Sequence, residues 1–267
     1  MAKVLNGRDL ADYMKARQAQ QVRSLKQGRG IFPKLVILRD SRNPVIDVYV
    51  RMKKAYGADI GVIVEDRLVA TEELEGEVEK LNQDGSVHGM IVQLPLADAE
   101  MVDKVVDKVV AEKDVDGLGL GRVFDSATAM AVNYLLAGYG VELRGKEVAI
   151  VGYGRLVGRP LAQMWEDSGL KVRVFRSKDA ENLAEELVKF DVIVAATGKA
   201  RLITSEMVKK GAVVVDAGTA SEKGVILGDV DDAVREREDV VITPKIGGVG
   251  PLTIAALFEN VIRAAGY

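Results

Sequence analysis

The chain has no cysteine among its 267 residues, which excludes disulfide staples, thiolate nucleophiles and cysteine-ligated metal. It has one histidine, His88, so a histidine-based triad or an imidazole zinc site is all but excluded, and no metal site is expected. Proline is scarce at 6 while glycine reaches 27, a balance that suits many tight strand–helix turns better than disordered linkers. No apolar run is long enough to span a bilayer. The opening MAKVLNGRDLADYMK lacks a signal-type apolar core, so the expectation is a soluble cytoplasmic protein with no membrane partner. A formal net charge of −3, without a long basic run, leaves no electrostatic footprint for nucleic acid.

What the chain does have is apolar material, 48% of it, arranged in short runs that alternate with amphipathic stretches. In the first half, 34–38, 60–64 and 88–94 read as buried strands, with helical patterns over 8–26, 43–57, 71–82 and 98–111. Thr71 is expected to cap the third of these helices through its hydroxyl. The second half has continuous apolar runs at 146–152, 172–175, 191–198, 212–218 and 240–243, as parallel strands covered on both faces require. The pattern predicts two α/β units, residues 1–122 and 123–251, with the boundary near GLGLGRVFDSATA. An apolar helix over 252–267 either closes the second unit or returns to the first.

VAIVGYGRLVGRPLAQMW begins as a strand, turns through Gly152, Gly154 and Gly158, and continues as a helix. Glycines permit the tight turn, and a helix N-terminus offers free N–H groups to a pyrophosphate. The spacing departs from GxGxxG, and a ligand-free glycine turn is the alternative. Its place at the first junction of a five-strand α/β pattern favours a dinucleotide site. An acid at the end of the next strand would bind a ribose 2′-hydroxyl; this chain has Arg176, Ser177 and Lys178 there. Two cations and a hydroxyl favour NADP over NAD, with a solvated basic turn as the other reading. Tyr49 and Lys53, one turn apart in DVYVRMKKAYG, taken alone fit the flank of an ordinary amphipathic helix.

Six segments change that balance. YVRMK, GMIVQLPL, EKDVDGL, VGRPLA, LGDVD and TPKIGGVGPLT occur in this order, and together the chain resembles the methylenetetrahydrofolate dehydrogenase/cyclohydrolases of the FolD type nearly end to end. The resemblance implies a two-domain α/β fold: an N-terminal catalytic domain over 1–122 that regains the C-terminal helix 252–267, and a Rossmann-like NAD(P)-binding domain over 123–251. It implies a homodimer, and two reactions: oxidation of 5,10-methylenetetrahydrofolate with NADP⁺, then hydrolysis of the methenyl product to 10-formyltetrahydrofolate.

By the same resemblance Lys53 is the catalytic lysine, Tyr49 is catalytic beside it on the same helical face, and Gln93 orients the amine. Hydrolysis needs a group that can be neutral near pH 7, which a lysine with a lowered pKa provides. Asp116 binds the amino-pyrimidine edge of the pterin, to which a carboxylate can bond in pairs. Tyr49, Gln93, Gly247, Gly248 and Pro251 line the substrate. Gly152, Tyr153, Gly154, Arg155, Val157, Gly158, Arg176, Ser177, Thr197, Gly198 and Thr219 form the cofactor set, with NAD possible as the nucleotide. Asp114 reads as a structural cap, Lys54 as solvated and His88 as structural.

This chain also departs from the family. Gly152-Tyr153-Gly154 stands where Gly-Arg-Ser is usual, removing an arginine that helps hold the 2′-phosphate. Arg176 replaces a residue that is commonly histidine and supplies a cation nearby. TPKIGG replaces Thr-Pro-Val-Pro-Gly-Gly and introduces Lys245, for which the sequence gives no physical account. The alternatives are a monofunctional methylenetetrahydrofolate dehydrogenase, a shikimate-dehydrogenase-like oxidoreductase and a non-catalytic dinucleotide-binding protein.

Overall fold

The computed structural model describes residues 3–121, 123–218, 220–222 and 225–267. In chain order, β1 (Lys3–Val4) and α1 (Gly7–Arg29) lead to β2 (Lys34–Arg39), α2 (Pro44–Ile60), β3 (Ile63–Leu68), α3 (Leu74–Gln83), β4 (Gly89–Val92) and α4 (Met101–Val106). Then come α5 (Ala127–Gly138), β5 (Val148–Val151), α6 (Gly158–Asp167), β6 (Val172–Phe175), α7 (Leu183–Leu187), β7 (Val192–Ala195) and β8 (Val213–Asp216). β9 (Ala220–Glu222), β10 (Val225–Leu227), α8 (Asp232–Glu236), β11 (Val241–Ile242) and α9 (Val249–Ala264) complete the described elements. Among the described residues no helix is long and apolar enough to cross a membrane.

The chain divides into two compact units. One comprises Asp12–Ala127 and Ile254–Tyr267. Its three strands are parallel, in the order β3-β2-β4. Leu35, Val36, Ile37 and Leu38 are all fully buried, as a central strand covered on both faces demands. On one face Val36 and Leu38 pack with Val78 and Leu81 of α3, Met90 and Val92 of β4, and Val105 of α4.

The other unit comprises the residues up to Ala11 and Thr128–Thr253. Its six strands run parallel in the order β1-β11-β8-β7-β5-β6. Counted from β5, the stretch from β6 to β11 has the 2-1-3-4-5 order of a doubly wound sheet. The chain reverses its winding between β5 and β7, so the segments after these two strands part and leave a crevice at their carboxyl ends.

Several local expectations change. The apolar run 60–64 is not one strand. Ile60 ends α2, Gly61 turns with φ of 85°, and β3 starts at Ile63. The helix expected over 98–111 is regular only from Met101 to Val106. Thr71 does not cap a helix: it begins a single 3₁₀ turn after Ala70, and its hydroxyl donates to Asp40 Oδ2 at 2.9 Å. β1 was not foreseen, because two residues carry no periodicity, and its pairing with β11 groups the N-terminal residues with the six-strand unit. The antiparallel pair β9–β10 is likewise too short to read from pattern.

Candidate active site

Helix α2 buries Ile46, Val50, Tyr56 and Ile60 along one stripe. Tyr49 and Lys53 lie within that stripe, half-buried, whereas Lys54 is exposed, as its 100° offset around a helix requires. Gly57 lets the helix pack closely, since a Cβ there would run into Val64 and the ring of Phe258. Lys53 thus occupies a place where an amphipathic helix would ordinarily carry an apolar side chain.

The residues just past β4 meet it. The Lys53 ammonium donates to Gln93 Oε1 at 2.8 Å. The Gln93 amide donates in turn to Leu94 O at 3.1 Å, and the Gln93 N–H to Leu38 O at 2.8 Å. The side-chain amide is therefore held at its other end, with its oxygen toward the amine. Burial lowers the Lys53 pKa, and the Asp116 carboxylate acts against that shift. Burial likewise pushes the Asp116 carboxyl up to about 6, with Lys53 holding it down and Asp114 adding to the rise. Burial raises the Tyr49 phenol. Burial thus makes the lysine lose its proton more easily and the carboxyl keep its proton longer, while each charge partly offsets the shift of the other.

The loop carrying Asp116 is fixed by Asp114, in the structural role the sequence suggests, and by Asn260, which the motif alone does not reveal. Asp114 is buried, and its carboxylate accepts N–H bonds from Gly117 at 3.1 Å and Gly119 at 2.7 Å. Gly117 has φ of 66°, and a Cβ there would lie 2.7 Å from Phe124 O, so only glycine fits. Fully buried Asn260 of α9 donates to Val115 O and Asp125 O, both at 2.9 Å. An asparagine inside the apolar run TIAALFENVIRAAGY was the legible signal for this anchor. His88 is structural: its Nδ1 accepts from the Lys34 N–H at 3.2 Å.

Tyr49, Lys53, Gln93 and Asp116 all belong to the three-strand unit, while Gly247, Gly248, Pro251 and the described residues of the cofactor set belong to the six-strand unit. Gly247 has φ of 93°, and its carbonyl accepts the Gly7 N–H at 2.8 Å. Gly7 itself must be glycine, because a Cβ would collide with Gly248 O. Pro251 lies in the first turn of α9, where a missing N–H costs no helical bond. Lys245 is exposed and pairs with Asp232 at 2.8 Å.

At the crevice, the three glycines of the turn divide by purpose. Gly152 has φ of 105°, and a Cβ there would strike Ala196 O; one at Gly158 would strike Gly152 O. Both are demanded by the protein's own packing. A Cβ at Gly154 would meet no atom within 4 Å, so that part of the turn lies open. Arg155, Val157 and Tyr153 belong to the same turn, and α6 starts at Gly158. Thr197 and Gly198 follow β7. The Thr197 hydroxyl and the Gly198 N–H donate to Asp229 Oδ2 at 2.9 and 3.2 Å, and the Thr197 N–H donates to the same oxygen. Asp229 is fully buried and burial raises its pKa; it was missed as an anchor of this segment, although LGDVD marks it. Arg176, Ser177 and Lys178 are exposed at the end of β6. Thr219 lies outside the described residues. An open glycine turn at a sheet's switch point, with two cations and a hydroxyl after the second strand, fits a phosphorylated dinucleotide.

Comparison with known proteins agrees with this geometry. A family model for the catalytic domain of tetrahydrofolate dehydrogenase/cyclohydrolase matches residues 5–116, and one for its NAD(P)-binding domain matches 126–267. The chain is 37% identical to the bifunctional protein FolD of Enterococcus faecalis, covering 99% of both chains. The structure of FolD from Campylobacter jejuni superposes with a TM-score of 0.91 at 33% identity, covering 99% of each chain. The methylenetetrahydrofolate dehydrogenase-cyclohydrolase of Trypanosoma brucei, solved with NADP and an inhibitor, gives 0.89 at 30% identity, covering 99% of this chain and 97% of that one.

Proposed function

Because the chain belongs to the tetrahydrofolate dehydrogenase/cyclohydrolase family, we propose that it oxidises 5,10-methylenetetrahydrofolate to the methenyl form with NADP⁺ and hydrolyses that product to 10-formyltetrahydrofolate. The observation that carries this reading is the 2.8 Å bond between Lys53 and Gln93, in the unit that also holds Asp116. NADP⁺ supplies the hydride acceptor when bound. Gly152, Gly154 and Gly158 form its phosphate turn, with Thr197 and Gly198 beside them.

The protein's task in the first step is orientation. Asp116 accepts N–H bonds from the amino-pyrimidine ring, and Tyr49 lines the folate. The second step needs a proton carrier. Water adds to the amidinium-like carbon, a proton leaves that water, and a ring C–N bond breaks as its nitrogen regains a proton. Lys53, with its lowered pKa, takes the proton as the free amine and returns it as the ammonium. Gln93 accepts an N–H from Lys53 and fixes where its nitrogen points. Gly247, Gly248 and Pro251 complete the substrate-binding set. The protein acts in the cytoplasm as a homodimer.

The test is turnover of 5,10-methylenetetrahydrofolate by the purified protein with NADP⁺ or NAD⁺, following the methenyl product and its hydrolysis separately. NADP⁺ reduction followed by enzyme-dependent hydrolysis is expected. Hydride transfer without hydrolysis would instead make the protein a monofunctional dehydrogenase.

A further inference from the structure

Val151 and Phe175 are cross-strand partners at the carboxyl ends of β5 and β6, and the Gly152 N–H donates to Phe175 O at 2.8 Å. Tyr153 and Arg176 therefore emerge side by side from the strand ends that frame the adenosine side of a doubly wound sheet. The Arg176 guanidinium carbon lies over the Tyr153 ring, 4.0 Å from its centroid. We propose that this stacked pair is the chain's selector for the 2′-phosphate of NADP, with Arg176 as the binding cation and Tyr153 as the residue that positions it.

A guanidinium offers two separable faces to its surroundings. Its flat face stacks on an aromatic ring, while its N–H donors radiate in plane and match a phosphate. Stacking on Tyr153 uses the flat face and leaves the in-plane donors available. Among the described residues Arg176 has no carboxylate partner. The acid nearest in sequence, Asp179, is engaged elsewhere: Oδ2 accepts the Arg176 backbone N–H at 2.8 Å, and Oδ1 faces Arg173 at 3.4 Å. A long, exposed arginine pays conformational entropy when it grips a ligand, and the ring lowers that cost by holding the side chain beforehand. The tyrosine at the phosphate turn thus replaces a second cation by bracing the first.

This inference rests on the NADP assignment above, and direct binding separates the two. Titration calorimetry on the full chain compares NADP⁺ with NAD⁺, and adenosine 2′,5′-bisphosphate with 5′-AMP. The proteins are wild type, Arg176→Ala, Tyr153→Ala, Tyr153→Phe and the double alanine variant. Wild type is expected to favour the 2′-phosphorylated ligand of each pair. Arg176→Ala should weaken those ligands by about 10- to 100-fold and leave NAD⁺ and 5′-AMP within about twofold. Tyr153→Ala should weaken only the 2′-phosphorylated ligands, by about 2- to 5-fold, Tyr153→Phe should restore them, and the double variant should match Arg176→Ala. Undiminished preference in Arg176→Ala, or an equal loss of all four ligands in Tyr153→Ala, would overturn the selector while leaving the dinucleotide site standing. Failure of wild type to bind either dinucleotide would overturn the cofactor assignment itself.

Discussion

Lys53 of α2 donates to Gln93 Oε1, just beyond β4, across 2.8 Å, so a helix and a strand end jointly fix one amine. Gln93 cannot turn away, because its own amide donates to Leu94 O. Replacing it should therefore disturb proton transfer more than folate binding. Gln93→Leu should cut the rate of methenyl hydrolysis by about 10- to 100-fold, with a much smaller effect on hydride transfer. Saturating kinetics for the two steps check this; equal losses in both would assign Gln93 to substrate binding alone.

How far the sequence revealed this site differs by residue. The alternation of apolar runs reveals the buried strands of both sheets, because strands covered on both faces leave a strong local signature, but it misplaces the partly exposed β3 and misses the two-residue β1. The pairing of Lys53 with Gln93 was legible only through family motifs, since no local rule links residues 40 positions apart. The anchors were hidden for a different reason. Asp229 and Asn260 act by bonding backbone groups of loops, and the choice of loop depends on tertiary packing, whereas Asp114 was legible as a structural cap. Gly152 and Gly158 permit the tight turn, as the sequence suggests, and the structure shows the particular backbone carbonyls that demand them. The stack of Arg176 on Tyr153 accounts for two departures at once, and neither departure alone suggests it.

The Asp116 carboxyl is pushed up to about 6 by burial, above an unfolded value of roughly 3.9. A raised native pKa contributes stability below the unfolded value, and that contribution is lost as pH rises through about 6. At pH 7.5 the buried charge is a cost, so Asp116→Asn should stabilise the fold by on the order of 1 kcal/mol, read as a higher denaturant midpoint, while weakening folate binding. The gain should shrink toward pH 4.5, where wild type becomes protonated. Denaturation curves at the two pH values check this; an equal gain at both would assign the effect to something other than the charge.

The glycines of the phosphate turn should separate by substitution. Gly152→Ala and Gly158→Ala press a methyl into backbone carbonyls, so both should destabilise the fold by about 1–3 kcal/mol or more. Gly154→Ala meets open space and should leave the melting temperature unchanged within about 1 °C. Its effect should appear in a weaker NADP⁺ dissociation constant. Thermal melts paired with nucleotide titration distinguish the two groups, and an unstable Gly154→Ala would contradict the division.

The most direct test of the central claim, that Lys53 carries the proton of the hydrolytic step, is the Lys53→Met variant assayed for both activities on one preparation. Methionine keeps the length and apolar stem of the side chain and removes the amine. The account predicts that hydrolysis falls by about 100-fold or more, while NADP⁺ reduction with 5,10-methylenetetrahydrofolate continues within about tenfold of wild type. Hydrolysis at an undiminished rate in Lys53→Met would contradict it.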